Sequence, residues 1–398
     1  MTAAPHTAAD VLIDVDQHLY ETDDAFTRYL DPAFQKLVSW AEVDGRRHLL
    51  MNDRVVRAGI RPAHDWVPEP GRLSEYFRGN NPTGASAREL VGDLIACRPE
   101  FTDRAARVAA LDAQGVTTAV VNPQTGLAIE EILKLDVPAM HAIYMAYLRW
   151  TNEHWGFHRD DRILVPALIS LIDPECAEAQ LRYAVDHGAK LVVFRPGPVV
   201  GPFGSFSPAD PRYDRFWSMV EDSGTLVAFH IAESSVAKYA GEWGEGQGKH
   251  NFQQLFSAFS SVLSLYMERP IFDTVAALIT QGLFDRHPRL RVLTIELGAG
   301  WVPELLRRFR TVYGQNPRAF SRDPLETFRD HIWVTPFQED DISQIVDLIG
   351  ADRVMFGSDW PHPEGVSEPR QLLAELEVLD PADRKRVTSE NFFELVGR

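Results

Sequence analysis

Near the C-terminal end of the chain a short apolar run stops at a carboxylate. It reads Arg353-Val-Met-Phe-Gly-Ser-Asp359 and leads into the Pro-rich loop Trp360-Pro-His362-Pro-Glu364-Gly365. Near the other end, Val11-Leu-Ile-Asp-Val-Asp16-Gln17-His18 has the same character. Alternate side chains of a strand share a face, so Asp16 and His18 point the same way and can reach one ion. The run Leu226–His230 ends in an imidazole, and Arg291–Glu296 ends in a second acidic tip. Asp16, His18, His230 and Asp359 form a donor set suited to Zn2+ first and Mn2+ second. Asp-x-His is a weak motif alone. The inference rests on all four residues standing at the C-terminal tips of apolar runs, where barrel enzymes place their chemistry.

The candidate catalytic groups are Asp359 and Glu296. An unpaired buried carboxylate is costly, which gives Asp359 the strongest claim to a nearby cation. Glu296 has three readings: a further metal ligand, an acid/base group whose pKa burial raises, or a structural partner of Arg195. Arg195, at the tip of Lys190–Arg195, fits either a bidentate clamp on a substrate carboxylate or a salt bridge across the mouth. His362, three residues past Asp359, is the other candidate for contact with substrate. Trp243, His250 and Trp301 could line the pocket but read more simply as packing or surface. His154, His158 and His187 read as structural.

Eight short apolar runs position these tips: Val11–Asp16, Val116–Asn122, Ile163–Ser170, Lys190–Arg195, Leu226–His230, Arg291–Glu296, Ile332–Thr335 and Arg353–Ser358. Most are apolar throughout, as strands covered on both faces of a parallel sheet are. Between them the spacing predicts helices over Thr102–Gln114, Val137–His154, Pro174–His187, Pro211–Ser223, Val302–Tyr313 and Asp341–Ile349. Asp173-Pro174 and Asp210-Pro211 are good helix starts. The alternation predicts a (β/α)8 TIM barrel. No Gly-rich dinucleotide fingerprint follows the first strand, which argues against a doubly wound sheet. A barrel needs about 250 residues, so the surplus is read as an insertion or lid at about residues 20–100 within a single domain spanning 1–398. Within it Trp40–Arg57 predicts a hairpin with Asn52-Asp53 at its turn, and Pro62–Gly84 reads as loop. A second long connection, Ala232–Asn251, leaves a strand tip on the catalytic face. Asp380–Arg398 predicts a closing helix.

The formal net charge of −17 over 398 residues disfavours a polyanionic partner such as nucleic acid. No apolar run is long enough to span a bilayer. Two cysteines, Cys97 and Cys176, cannot build a disulfide framework, and the N-terminus lacks signal-peptide character. The expected setting is cytoplasmic, with a small-molecule substrate and no membrane partner.

With these residues in place the chain resembles the amidohydrolase superfamily, in the branch that includes aminocarboxymuconate semialdehyde decarboxylase. The resemblance runs from Ile13 to the Glu390–Leu395 segment. It is carried by Ile13-Asp-Val-Asp16-Gln-His18, Glu296-Leu-Gly-Ala-Gly-Trp-Val-Pro303 and Gly357-Ser-Asp-Trp-Pro-His362. It implies metal ligation by His230 after the fifth strand and by Asp359 after the eighth. The family's usual first motif is His-x-His, and Asp16 stands in its first position. Binuclear members carry a bridging lysine at the fourth strand; here Lys190 only begins that strand, so one divalent ion is expected. The decarboxylase relatives place a histidine where this chain has Glu296. The leading expectation is therefore hydrolysis of a small carboxylated, aromatic or cyclic substrate by metal-activated water. The alternative is non-oxidative decarboxylation of an aromatic or unsaturated acid. A catalytically silent binding barrel ranks last, because it would have lost ligands that this chain keeps. Relatives are often dimers, which makes a homodimer the candidate assembly.

Overall fold

Strands read as apolar on both faces are buried on both faces. The structure, a computed structural model, describes residues 11–43, 46–56, 65–232, 236 and 266–397. Ile13–His18, Thr118–Asn122, Leu191–Phe194, Leu226–His230, Val292–Ile295 and Ile332–Val334 are buried at every position. Each pairs in parallel with its neighbour in chain order. Ile13–His18 lies beside Thr118–Asn122, which lies beside Ile163–Leu164. Ala167–Leu168 carries the ring on to Leu191–Phe194, Leu226–His230, Val292–Ile295 and Ile332–Val334. The third predicted strand is thus two short ones on either side of Pro166, which has no N–H to offer a ladder.

The eighth run also differs from its prediction. Residues 353–360 form single bridges, not a continuous strand. They still close the ring: Met355 N–H donates to Val334 O at 2.9 Å, Val15 N–H to Phe356 O at 2.9 Å, Asp359 N–H to Asp16 O at 2.7 Å, and His18 N–H to Trp360 O at 2.9 Å. The reason is local backbone shape. Asp359 has φ of 56°, a left-handed conformation that no extended strand accommodates. The result is a (β/α)8 barrel with helices outside.

The helices follow their start signals. Asp136, Asp173 and Asp341 cap Val137–His154, Pro174–Asp186 and Ile342–Ile349 through their side chains. Arg104–Gln114 begins two residues later than predicted because Asp103, with φ of −120°, is its cap. Gly126–Leu133, Arg269–Thr280 and Pro324–His331 are further helices with no counterpart among the predicted ones. The tail is helical as expected, with a π-helical turn at Arg386–Glu390 between Pro381–Lys385 and Asn391–Val396.

In the insertion, Val38–Val43 pairs antiparallel with Arg46–Met51, which pairs with Arg54–Val55. Asn52 and Asp53, both at positive φ (51° and 59°), make the second reversal, as a type I′ turn requires. The Pro62–Gly84 stretch is not all loop, since it holds the strand Trp66–Val67 and the helix Ser74–Phe77. Arg57 and residues 62–64 lie outside the described residues. So does most of Ala232–Asn251, including Trp243 and His250.

Gly357 fits the seam tightly. A Cβ there would lie 2.6 Å from Thr335 Cγ2 and 2.8 Å from Asp16 Cβ. Gly357→Ala should cost about 1–3 kcal/mol of stability, read as a lower urea midpoint at unchanged slope. An unchanged midpoint would contradict this packing.

Candidate metal centre

Four strand tips bring their side chains to one point. His18 Nε2 lies 3.4 Å from Asp16 Oδ1, 3.2 Å from Glu296 Oε2 and 3.4 Å from Asp359 Oδ1. His230 Nε2 lies 3.6 Å from Asp16 Oδ1, 3.2 Å from Glu296 Oε2 and 3.2 Å from His18 Nε2. Asp16, His18, His230 and Glu296 form one group whose donor atoms all lie within 4.8 Å of one another. A second group, His18, Glu296, Asp359 and His362, overlaps it.

The donors suit a cation. His230 Nδ1 donates to Ile231 O at 3.0 Å, leaving the Nε2 lone pair facing the cluster, as in ligating histidines. Glu296 Oε2 and both oxygens of Asp359 are buried and accept no well-formed hydrogen bond among the described residues. Glu296 and Asp359 pack without well-formed donors, beside Asp16, against two imidazoles, an arrangement that favours positive charge between them. The donor set fits a divalent ion. Asp16, His18, His230 and Asp359 are the candidate holders, with Glu296 within the same reach.

Electrostatics lead to the same conclusion. Burial should push the His18 imidazole down, but Asp16 and Glu296 beside it push it up to about 9. Burial opposes ionisation of Asp16, yet hydrogen bonds from His18 and His230 hold it below the usual carboxylate range. Burial first, then the negative charge of Glu296, Asp16 and Glu364, drives Asp359 well above that range. Burial and Glu296 raise Glu364 to about 8. With no ion bound, protons must relieve the repulsion.

A layer behind the cluster fixes it. The Asp14 carboxylate accepts from Ser358 N–H at 3.0 Å, Ser358 Oγ at 2.6 Å and Gln17 Nε2 at 2.9 Å, tying the first strand to the eighth segment. Burial lifts its pKa to about 7. Arg107, fully buried, donates to His18 O at 2.6 Å and Gln17 Oε1 at 3.2 Å, and lies 4.6 Å over the Trp360 ring. Asn122 Nδ2 donates to Asp16 Oδ1 at 3.4 Å.

His362 joins the cluster. Its ring stacks on that of His18 at 3.9 Å between centroids, its Nδ1 lies 2.7 Å from Asp359 Oδ1, and its Nε2 contacts Gln124 Oε1. Arg195 is held by Glu130 (Nε to Oε1, 2.6 Å), so the structural partner is Glu130 and not Glu296. Its Nη2 lies 3.5 Å from Pro198 O in the same loop. Trp301 is buried and donates to Gly298 O at 3.0 Å, a packing role. His154, His158 and His187 pair with Arg28, Asp161 and Tyr183 O instead of joining the cluster. Asp14, Asn122, Arg107 and Glu364 were not singled out. Asp14 carried a signal, since it stands two residues before Asp16 and shares its face. Asn122 ends its strand as His230 does. Arg107 is one charge within a helix, and nothing in its sequence neighbourhood points to the site.

Residues 13–397 match the family model described as Amidohydrolase. A gamma-resorcylate decarboxylase of Rhodococcus jostii (strain RHA1) is 27% identical over 288 residues, 65% of this chain and 80% of that protein. The crystal structure of an amidohydrolase from Mycobacterium avium subsp. paratuberculosis K-10 superposes with a TM-score of 0.89 at 34% identity, covering 98% of this chain and 100% of that one. A dihydroxybenzoic acid decarboxylase from Polaromonas sp. JS666, with bound manganese and the inhibitor 2-nitroresorcinol, shares the fold: TM-score 0.57, 18% identity, 82% of this chain and 93% of that one.

The His18 shift gives a pH prediction. Its folded pKa of about 9 lies above the ordinary 6.5, so its contribution to metal-free stability is complete below 6.5 and is lost as pH rises through 9. The Tm of metal-free protein should fall across that window. The metal-loaded protein, in which an ion replaces the proton, should hold its Tm. Parallel Tm curves with and without ion would contradict this.

Proposed function

The chain belongs to the amidohydrolase family, and on that premise we propose that it is a metal-dependent carboxy-lyase. It would remove CO2, without oxidation, from a hydroxylated aromatic acid. The observation that carries this reading is Asp359: a fully buried carboxyl group held at positive φ beside two imidazoles, whose pKa is raised by burial and by the neighbouring carboxylates. Such a group is suited to protonating carbon. The similarity to gamma-resorcylate decarboxylase supports the same chemistry.

In this reading Asp16, His18, His230 and Asp359 hold one divalent ion. When bound, the ion supplies Lewis-acid polarisation of the substrate carboxylate and its neighbouring oxygen. The chain's own residues do the rest. Asp359 donates its proton to the ring carbon as the bond to the carboxylate breaks and CO2 departs. His362, 2.7 Å from Asp359 Oδ1, orients that carboxyl group and contributes to the substrate's side of the pocket. Arg195, anchored by Glu130, offers its outer N–H groups to a substrate anion. Mn2+ joins Zn2+ as a candidate, since carboxylate-rich sites suit it and the Polaromonas protein binds it.

The insertion is proposed as a wall or lid. Gly71 N–H donates to His362 O at 3.0 Å and Leu73 N–H to Pro363 O at 2.6 Å, so it braces the loop that carries the site. Among the described residues no helix is long and apolar enough to cross a membrane. Both cysteines are free, which supports the cytoplasmic setting as part of this proposal, with a homodimer as its assembly.

Hydrolysis by ion-activated water is the second reading. It is favoured by Glu296 standing where the decarboxylases of the resembled branch hold histidine. The discriminating experiment presents metal-loaded protein in D2O with dihydroxybenzoic acids and, separately, with esters, amides and lactones. The expected result is CO2 release with one deuterium at the vacated ring carbon. Asp359→Asn should lower kcat by about 10²–10⁴-fold. Turnover of an ester, amide or lactone without any CO2 would overturn the carboxy-lyase reading.

A further inference from the structure

We propose that Glu296 is an exchangeable ligand: it closes the ion's coordination in the resting protein and makes way for an anionic oxygen of the substrate. This rests on the ion-binding reading above and resolves the role of Glu296 within it.

Geometry makes it a ligand. Glu296 Oε2 stands at 3.2 Å from both imidazole nitrogens, which are themselves 3.2 Å apart, and Asp16 Oδ1 lies at 3.4 and 3.6 Å from them. A tetrahedral ion with bonds of about 2.0–2.1 Å has ligand-to-ligand edges of about 3.3–3.4 Å. Five of the six edges among these four atoms, at 3.2–3.6 Å, are therefore close to what such an ion requires, and Asp359 Oδ1 lies 3.4 Å from His18 Nε2. Oε2 is buried and has no well-formed hydrogen bond among the described residues, which leaves its lone pairs free for an ion.

The backbone is shaped for this placement. Glu296 has φ of 53°, a conformation that a non-glycine residue keeps only where its surroundings impose it. The Glu268 carboxylate accepts from Gly300 N–H at 2.9 Å, and Asp340 accepts from Ala299 N–H at 2.8 Å. These pin the turn that follows Glu296.

Charge and exposure make it exchangeable. Asp16 and Glu296 bring two negative charges to one divalent ion, and Asp359 adds a third once its proton has gone, so the closed site is left without net positive charge to draw in an acid substrate. One carboxylate must leave. The Glu296 side chain is 11% exposed, against 1% for Asp16 and 0% for Asp359, and it is the longest and most flexible of the three. The other two are held from behind by Asn122 and by the seam.

The test uses Co2+ as the probe ion. Wild-type protein should bind it, and 2,6-dihydroxybenzoate should then change its visible d–d absorption as one protein ligand leaves. Glu296→Gln should bind Co2+ at least tenfold more weakly. Once saturated with Co2+, it should bind 2,6-dihydroxybenzoate as tightly as wild type or more so, because no carboxylate has to depart. A residue with only a structural role would weaken both or neither. Equal Co2+ affinity and an unchanged spectrum in Glu296→Gln would overturn the exchange. So would a wild-type spectrum that is indifferent to saturating 2,6-dihydroxybenzoate. Failure of the wild type to bind Co2+ at all would instead overturn the ion-binding reading on which the proposal stands.

Discussion

The seam between the first strand and residues 353–360 is the constraint on which the rest of the molecule depends. It closes the barrel with a few backbone hydrogen bonds in place of a continuous ladder. Those same bonds set the spacing of Asp16, His18 and Asp359, because Asp359 N–H is held by Asp16 O and His18 N–H by Trp360 O. A regular eighth strand would carry Asp359 along the ladder. The left-handed turn at Asp359 instead swings its side chain inward over the mouth. Asp14 and Arg107 act on this seam from behind, one binding Ser358 and the other His18 O and Trp360. Closure of the fold and assembly of the site are thus one structural event.

Much of this was legible in the sequence, for reasons tied to particular residues. Buried parallel strands announce themselves as unbroken apolar runs, so Leu226–His230 and Val292–Ile295 were visible, as were the polar residues that end them. Period-two alternation put Asp16 and His18 on one face. Capping aspartates marked several helices. What stayed hidden depends on context at long range. Pro166 splits a strand because its two halves serve different neighbours. Arg195 chose Glu130, a residue on a helix with no counterpart among the predicted ones. Glu296 could not be assigned from its type alone, since its placement depends on a positive-φ backbone followed by a turn that the distant Glu268 and Asp340 hold through Gly300 and Ala299.

The electrostatics tie the site to its chemistry. A largely buried mouth lined with carboxylates and imidazoles favours a cation. Burial and the same repulsion raise the Asp359 pKa well above the usual carboxylate range. The barrel supplies rigidity, the insertion braces the loop at His362, and the cluster supplies charge. The proposed carboxy-lyase chemistry draws on both an ion and a proton donor.

The proposed role of Asp16, His18 and His230 is to hold a single divalent ion at this mouth. Metal content by elemental analysis after equilibration with Zn2+ or Mn2+ and removal of free ion tests it most directly. The account predicts about one ion per chain in the wild type and loss of that ion in a folded His18→Ala, His230→Ala double variant. Retention of a full ion by the double variant, or none in the wild type, would contradict it.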